Sequence, residues 1–248
     1  MHRFFVPLEN LGPDHIQVTG DDARHMLRVL RLASGDRFIA VTPDGSEYLA
    51  ELYLMAEGRA AGRIVSRRRA SGEPPVRVTL VQALAKGDKM DLVIQKATEL
   101  GVSLIVPVVT ERCVVRLDGE RVHSRRERWQ RIAQSAAAQC ARALVPLVTE
   151  VRHWKEAIQV PGLALLAWEG EQAQGLKDVL AGGPTPAELA VFVGPEGGYA
   201  PHEVEEALSA GLCPVSLGPR ILRTETAALA LLTAIMYQLG DFGRPPRG

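Results

Sequence analysis

The chain has 248 residues, of which 46% are hydrophobic, and it carries 29 basic and 29 acidic residues. The hydrophobic content excludes an intrinsically disordered chain, and the length fits one large or two modest domains. A formal net charge of zero excludes a strong overall field toward a polyanion, so any contact with nucleic acid must be local.

Short strand-like runs alternate with turn signals from residue 1 to about residue 72, which predicts a small β-rich domain. Strands are expected at 37–42 and 47–55, joined by a hairpin turn. One helix is expected at 21–32, with apolar residues on one side and arginines on another. Such a helix either contacts phosphate through its arginine edge or covers the surface of a barrel.

A linker rich in proline and glycine, at 71–75, marks the expected domain boundary. Beyond it, a strand at 76–84, a helix at 88–100 and a strand at 103–109 form one βαβ unit, which predicts a parallel sheet. Ser124 and Glu127 have the spacing of a capping box, so a long helix is expected to begin there and to continue to 143. Further strands are expected at 147–151, 163–168, 189–193 and 214–217.

Two loops rich in glycine and charge lie in the last third of the chain, each after a short apolar strand. They are Gly-Pro-Glu-Gly-Gly at 194–198 and Leu-Gly-Pro-Arg-Ile-Leu-Arg-Thr-Glu-Thr at 217–226. One helix is expected to begin at Pro201 and to end before Gly211, and an almost entirely apolar helix is expected at 227–239. Glycines at the carboxyl ends of neighbouring strands expose backbone N–H and C=O groups, so this sheet edge is the predicted ligand site.

Common ligand-binding and catalytic motifs are absent from the sequence. Gly198 is not followed by the lysine and hydroxyl residue of a phosphate-binding loop, and the glycine spacing is not that of a dinucleotide fold. No HExxH, GxSxG or carboxylate pair at metal-ligand spacing occurs, so neither metal nor acyl-enzyme chemistry is predicted. Three widely separated cysteines and the lack of an apolar signal segment predict a soluble, cytoplasmic protein without a membrane segment.

The two glycine loops resemble, almost residue for residue, the C-terminal motifs of the RsmE family of SPOUT methyltransferases, which methylate N3 of a uridine in 16S ribosomal RNA. The resemblance extends over the whole chain. Further similar segments lie at 25–31, at 86–91, at 96–102, and at Gln139 and Arg142 followed by Pro146.

The resemblance implies an α/β fold in which a SPOUT methyltransferase domain at 73–248, with a C-terminal trefoil knot and a parallel sheet, follows a small β-barrel, PUA-like RNA-binding domain at 1–72. It also implies a homodimer that acts on 16S rRNA within the small ribosomal subunit, without a metal or a membrane. The implied cofactor is S-adenosyl-L-methionine, bent within the knot and held largely by backbone groups. The residues expected to bind it are Gly194, Pro195, Glu196, Gly197, Gly198, Leu217, Gly218, Ile221, Leu222 and Thr226.

Arg223, Arg220 and Glu225 are the catalytic candidates under this resemblance. Uracil N3–H is weakly acidic, so a fixed cation at Arg223 or Arg220 would lower the cost of negative charge on the ring. Glu225 either accepts the N3 proton or complements the dipole of a helix for which Thr224 is the N-cap, and we favour the helix role. Glu196 either caps backbone N–H groups or attracts the positive end of the cofactor.

Basic residues in both halves of the chain are expected to contact RNA, mainly through phosphate. They are Arg3, His25, Arg28, Arg31, Lys86, Lys89 and Arg142. One departure from the family pattern is Ala200, a poor N-cap that precedes Pro201 and weakens the expected helix start.

Two alternatives to N3 methylation remain open from the sequence. Within the same fold, the chain would be a 2′-O-ribose RNA methyltransferase, which also uses an arginine in this loop. In a different class, it would be a non-catalytic RNA-binding protein of ribosome assembly that has kept the fold. Retention of both complete glycine loops counts against the second alternative.

Overall fold

The computed structural model describes residues 1–56, 58–114 and 119–243, the last range with side chains from residue 122 onward. The chain divides into two compact units. The first contains Met1–Glu73 together with Ala137–Leu144, a segment that the sequence did not assign to it. The second contains Pro74–Ala136 and, of the described residues, 145–243.

The first unit is built on a five-stranded sheet with one α-helix. In chain order its elements are β1 (Arg3–Phe5), a short 3-10 turn (Leu8–Asn10), β2 (His15–Thr19), α1 (Gly20–Arg28), β3 (Arg37–Val41), β4 (Ser46–Ala56) and β5 (Arg59–Arg69). The strand order is β1-β3-β4-β5-β2, antiparallel except for the β1–β3 pair. This arrangement confirms the predicted β-rich domain. Its core contains Phe38, Ile16, Met26 and Leu52, all fully buried.

Helix α1 is shorter than the predicted 21–32 helix. It ends at Arg28, and Arg31 beyond it has a φ of 52°. That left-handed conformation cannot continue an α-helix, so residues 29–32 leave the helix axis even though their apolar spacing fits it.

The second unit is an α/β structure. Its elements are β6 (Arg77–Ala83), α2 (Lys89–Glu99), β7 (Leu104–Val109), α3 (Gly119–Gln139), β8 (Leu147–Val148), β9 (Arg152–His153), α4 (Trp154–Ala157), β10 (Leu163–Ala167), α5 (Leu176–Ala181), β11 (Glu188–Val193), α6 (Pro201–Ser209), β12 (Cys213–Val215) and α7 (Thr224–Gln238). The strand order is β12-β10-β11-β6-β7-β8, with β9 also paired to β7. Every pair is parallel, which confirms the predicted parallel sheet.

Two apolar layers bury the faces of this sheet. One contains residues of α2 and α7, such as Ile94 and Leu231, packed against Leu80. The other contains Trp154 and Phe192, whose rings meet edge to face with centroids 6.0 Å apart. Because both faces are covered, the central strands β10, β11, β6 and β7 are mainly apolar, as in other parallel sheets.

Three predicted boundaries, in helices α3 and α7, are wrong. Helix α3 begins at Gly119, so Ser124 and Glu127 lie inside it and do not form its N-terminal capping box. It also ends at Gln139 rather than at 143, since Ala141 has a φ of 60°. Helix α7 begins at Thr224, three residues before the predicted start, because its polar first turn continues directly into the apolar helix.

The start of α6 depends on a buried carboxylate. Ala200 is the N-cap residue, as expected, and its backbone N–H donates to Oε2 of Glu203 at 2.8 Å. The other carboxylate oxygen accepts the backbone N–H of Glu111 at 2.8 Å. Glu203 is only 2% exposed, so its carboxylate ties the backbone of the cap residue to the first turn of α6 and also fixes the loop after β7.

We predict that Glu203→Gln lowers the free energy of unfolding by about 1–3 kcal/mol, because an amide NH₂ cannot accept the second backbone N–H. Chemical denaturation measures the change. Glu205→Gln is the matched control on the same helix: Glu205 is exposed, so its substitution should change the free energy of unfolding by less than about 0.5 kcal/mol. Equal effects of the two substitutions would contradict the role given to Glu203.

Candidate active site

The carboxyl ends of three central strands lie side by side. Val193 at the end of β11 is in register with Ala167 of β10 and with Gln82 of β6. The loops that follow these strands therefore emerge at one edge of the sheet. The loop after β12 begins at the same edge, since Val215 is in register with Ala167.

Two adjoining cavities open at this edge, one of about 500 Å³ and one of about 380 Å³. Both are lined by Ala167, Glu169, Ile221, Leu222 and Ala227. The larger cavity is also lined by Trp168, Glu171, Gln172, Ser216, Leu217, Gly218, Pro219 and Arg220. The smaller cavity is also lined by Lys89, Val193, Gly194, Pro195, Glu196, Gly198, Tyr199, Arg223 and Thr224.

The structure therefore brings most of the predicted cofactor residues together, but not all of them. Gly197 and Thr226 line neither cavity. The carbonyl of Gly197 instead accepts a hydrogen bond from Nη1 of Arg112 at 3.0 Å. Thr226 lies in the first turn of α7 and faces a separate apolar groove along that helix.

Two glycines of the 194–198 loop have close neighbours on the side where a side chain would begin. A Cβ on Gly194 would lie 3.1 Å from the ring of Tyr199, and a Cβ on Gly198 would lie 2.6 Å from Oε1 of Glu169. Gly198 also has a φ of 68°, which favours glycine. The loop consequently presents bare backbone to the smaller cavity.

A chain of hydrogen bonds under this loop was not predicted from the sequence. Nε2 of Gln82 donates to Oγ1 of Thr224 at 2.9 Å, and that hydroxyl donates to the carbonyl of Gly194 at 2.6 Å. The expected role of Thr224 as N-cap is therefore wrong. Arg223 is the N-cap residue, and Thr224 is the first residue of α7.

Lys89 holds two carboxylates at the smaller cavity. Its Nζ lies 3.1 Å from Oε1 of Glu196 and 3.2 Å from Oε2 of Glu225. The hydrogen bond with Glu196, together with Glu225, raises the pKa of Lys89. Lys89 was expected to contact RNA phosphate, but both carboxylates already neutralise its ammonium group.

Glu196 acts as a cap in the structure. Its Oε1 accepts the backbone N–H of Lys86 at 3.1 Å. Burial raises the pKa of this carboxyl, but its own backbone N–H, that of Lys86 and the ammonium of Lys89 outweigh burial and hold the pKa below the ordinary value of 4.5. Of the two predicted roles for Glu196, the structure contains the capping of N–H groups.

Two exposed arginines line the cavities of the site. Arg220 lines the larger cavity and Arg223 the smaller one, and both are exposed. Between them, Ile221 is 89% exposed. Within the part of the chain that the structure describes, neither guanidinium forms an ion pair or a hydrogen bond, so both charges are available to a ligand.

The other predicted RNA-binding residues differ in how far their side chains are exposed. Arg3 pairs with Glu47, and Arg142 pairs with Glu73 at 2.6 Å. Both guanidinium side chains are buried, at 7% and 4% exposure, so neither is free for phosphate. The remaining residues, His25, Arg28, Arg31 and Lys86, are exposed.

Sequence reasoning missed Glu169, which lines both cavities, and Tyr199, which is buried beside Gly194. A signal for Glu169 was present, because it follows a predicted strand whose carboxyl end had to lie at the same edge. Over residues 1–56, 58–114 and 119–243, no group of His, Cys, Asp or Glu side chains has the arrangement of a metal site. No helix in those ranges is long and apolar enough to cross a membrane.

Comparison with known proteins gives consistent similarities along the chain. A family model for an RNA methyltransferase domain matches residues 72–236, and one for an RNA methyltransferase PUA domain matches residues 18–55. Ribosomal RNA small subunit methyltransferase E of Bacillus subtilis is 34% identical, over 96% of this chain and 97% of its own length. The protein of that name from Mycobacterium bovis is 37% identical, over 88% of this chain and 84% of its own length.

A solved structure is similar over nearly the whole chain. It is that of ribosomal RNA small subunit methyltransferase E from Neisseria gonorrhoeae bound to S-adenosyl methionine. It is 38% identical, with a TM-score of 0.88, and the similarity covers 98% of this chain and 99% of that one.

The lowered pKa of Glu196 predicts a pH-dependent contribution to stability. Since the folded-state pKa lies below the ordinary 4.5, the contribution is present above that value and is lost as the pH falls through the folded-state pKa. At pH 7, Glu196→Gln should lower the free energy of unfolding by about 0.5–1 kcal/mol, since the group is partly exposed.

Denaturation of the wild type and Glu196→Gln between pH 7 and pH 3 measures this effect, and the difference should shrink toward the acid end. Glu188→Gln, an exposed substitution at the start of β11, should change the free energy of unfolding at pH 7 by less than about 0.5 kcal/mol. A Glu196→Gln difference that stays constant with pH would contradict the assignment.

Proposed function

The chain belongs to the family of ribosomal RNA small subunit methyltransferase E, and we propose that it methylates N3 of a uridine in the 16S rRNA of the small ribosomal subunit. It is an S-adenosylmethionine-dependent RNA methyltransferase. The proposal concerns the methylated atom, the residues that act on it and the assembly that presents it.

The paired cavities fit S-adenosylmethionine. The ligand has an apolar adenine, which suits the wall formed by Leu217, Leu222 and Ala227, and polar groups, which suit the bare backbone at Gly194 and Gly218. Gly218 has a φ of 113°, and a Cβ there would meet open space. When bound, the cofactor supplies an electrophilic methyl group on a positively charged sulfur.

The observation that carries the proposal is the free guanidinium of Arg223 at the smaller cavity. The backbone of Arg223 is anchored by its position as N-cap of α7, directly before the hydrogen-bonded Thr224. A uracil that loses its N3 proton places negative charge on its carbonyl oxygens, and a preorganised cation beside one of them stabilises that charge. Arg220 supplies a second cation, for a carbonyl oxygen or a flanking phosphate.

Glu225 is less suited to accept the proton. Its Oε2 faces Nζ of Lys89, and the residue lines the apolar groove rather than either cavity. Its place in the first turn of α7 supports the alternative role, in which a carboxylate complements the positive end of a helix.

RNA is bound, in this proposal, by the exposed residues of the predicted set. His25, Arg28 and Arg31 belong to the N-terminal unit, and Lys86 belongs to the loop after β6. Such contacts position the phosphate backbone without reading sequence. Arg3 and Arg142 hold the N-terminal unit together instead, through their buried ion pairs.

The assembly is also a proposal. The apolar groove of α7, with exposed Leu92, Tyr237 and Phe242, supports a homodimer, because such a face is costly to leave in water. The proposal also includes a trefoil knot at the C-terminus and a cytoplasmic location. In it, residues 1–72 bind RNA and residues 73–248 form the methyltransferase domain.

Arg223→Ala tests the catalytic assignment. We expect the affinity for S-adenosylmethionine to be unchanged and the turnover number to fall by about two orders of magnitude or more, because one charge donor is lost from the transition state. Calorimetry measures the affinity, and transfer of a labelled methyl group to small ribosomal subunits measures turnover.

Arg77→Ala is the matched control, since Arg77 is exposed at the amino end of β6, away from the site edge. It should leave both quantities within about twofold, in keeping with a neutral surface substitution. Near-normal turnover of Arg223→Ala would remove Arg223 from the mechanism.

A further inference from the structure

Glu169 carries the acidic charge common to both cavities. It follows β10 and belongs to the five residues that line the larger and the smaller cavity alike. Its side chain is exposed. Within the described ranges, its carboxylate forms no hydrogen bond and no ion pair, so its charge is not neutralised by the protein.

The carboxylate of Glu169 lies beside the glycine loop at 194–198. Its Oε1 occupies the space that a Cβ on Gly198 would need, 2.6 Å away. The nearby Glu171, in contrast, is hydrogen-bonded within the protein. Its Oε1 accepts the backbone N–H groups of Ala173 and Gln174 at 2.6 and 2.9 Å. Those hydrogen bonds lower the pKa of Glu171 and close a local turn, which leaves Glu169 as the acid directed to a ligand.

The chemistry of the cofactor identifies what this charge faces. In S-adenosylmethionine the positive sulfur joins the adenosine to the methionine chain. A ligand with its adenosine in one cavity and its methionine part in the other has its sulfur where the two cavities meet. Glu169, Ile221 and Leu222 are at that junction, and Glu169 is the charged one among them.

We propose that Glu169 is the counter-charge for the sulfonium and therefore determines specificity for the methylated cofactor over its product; this inference rests on the proposed function. Methyl transfer removes the positive charge from sulfur, so S-adenosylhomocysteine is neutral at that atom. A carboxylate at the junction binds the charged donor more tightly than the neutral product. It thereby favours replacement of the product by a new donor after each turnover.

Loss of the Glu169 carboxylate should change the kinetic constants in a way that loss of a merely structural contact would not. A carboxylate that stabilises the sulfonium stabilises the ground state more than the transition state, in which the charge leaves sulfur. Loss of this carboxylate should therefore raise KM for the cofactor without lowering kcat.

The test compares the binding of three ligands by calorimetry: S-adenosylmethionine, S-adenosylhomocysteine, and sinefungin, which carries an ammonium group in place of the methylated sulfur. For Glu169→Gln we expect the affinity for S-adenosylmethionine and for sinefungin to fall about tenfold, and that for S-adenosylhomocysteine to change less than twofold. Glu169→Asp, which keeps the charge, should recover part of the preference.

Glu205→Gln is the control, because it removes one exposed acid of α6 that lines neither cavity, and all three affinities should be unchanged. An equal loss of affinity for all three ligands in Glu169→Gln would overturn the inference, because the carboxylate would then contact a part that they share. Unchanged affinities would overturn it as well. A wild-type protein that binds none of the ligands would refute the cofactor assignment itself, which is distinguishable from both results.

Discussion

The hydroxyl of Thr224 joins the parts of the protein on which the site depends. It donates to the carbonyl of Gly194 and accepts from Nε2 of Gln82, which is fully buried. One side chain thus fixes the end of β6, the glycine loop after β11 and the start of α7 relative to each other. Because Arg223 immediately precedes Thr224, its backbone is anchored at the site, and its guanidinium lies within reach of the smaller cavity.

The distribution of charge at the sheet edge separates structural groups from groups left for ligands. Lys89 pairs with both Glu196 and Glu225, and Glu203 is satisfied by two backbone N–H groups. These acids and this base hold loops in place. Glu169 and Arg223, in contrast, meet no protein partner in the described part of the chain. The Glu169 carboxylate suits a ligand that carries a positive charge. The Arg223 guanidinium suits a reaction in which negative charge develops.

The sequence predicts those features that depend on local pattern. The apolar strands, the βαβ order and the glycines at strand ends were sufficient for the parallel sheet and for the position of its ligand edge. It does not reveal contacts between residues distant in the chain. Gln82 and Thr224, for example, are 142 positions apart. Arg142 was predicted to contact RNA from its local sequence, but its guanidinium is buried by an ion pair with the distant Glu73. Likewise, Ser124 and Glu127 have the spacing of a capping box but lie inside α3, which already begins at Gly119.

Identification of the methylated nucleoside tests the central claim most directly. Small ribosomal subunits that lack the modification would be incubated with the protein and labelled S-adenosylmethionine, and the rRNA would be digested and examined by mass spectrometry. The account predicts label in 3-methyluridine. Label in a 2′-O-methylated nucleoside, or no transfer to the rRNA by a protein that binds the cofactor, would contradict it.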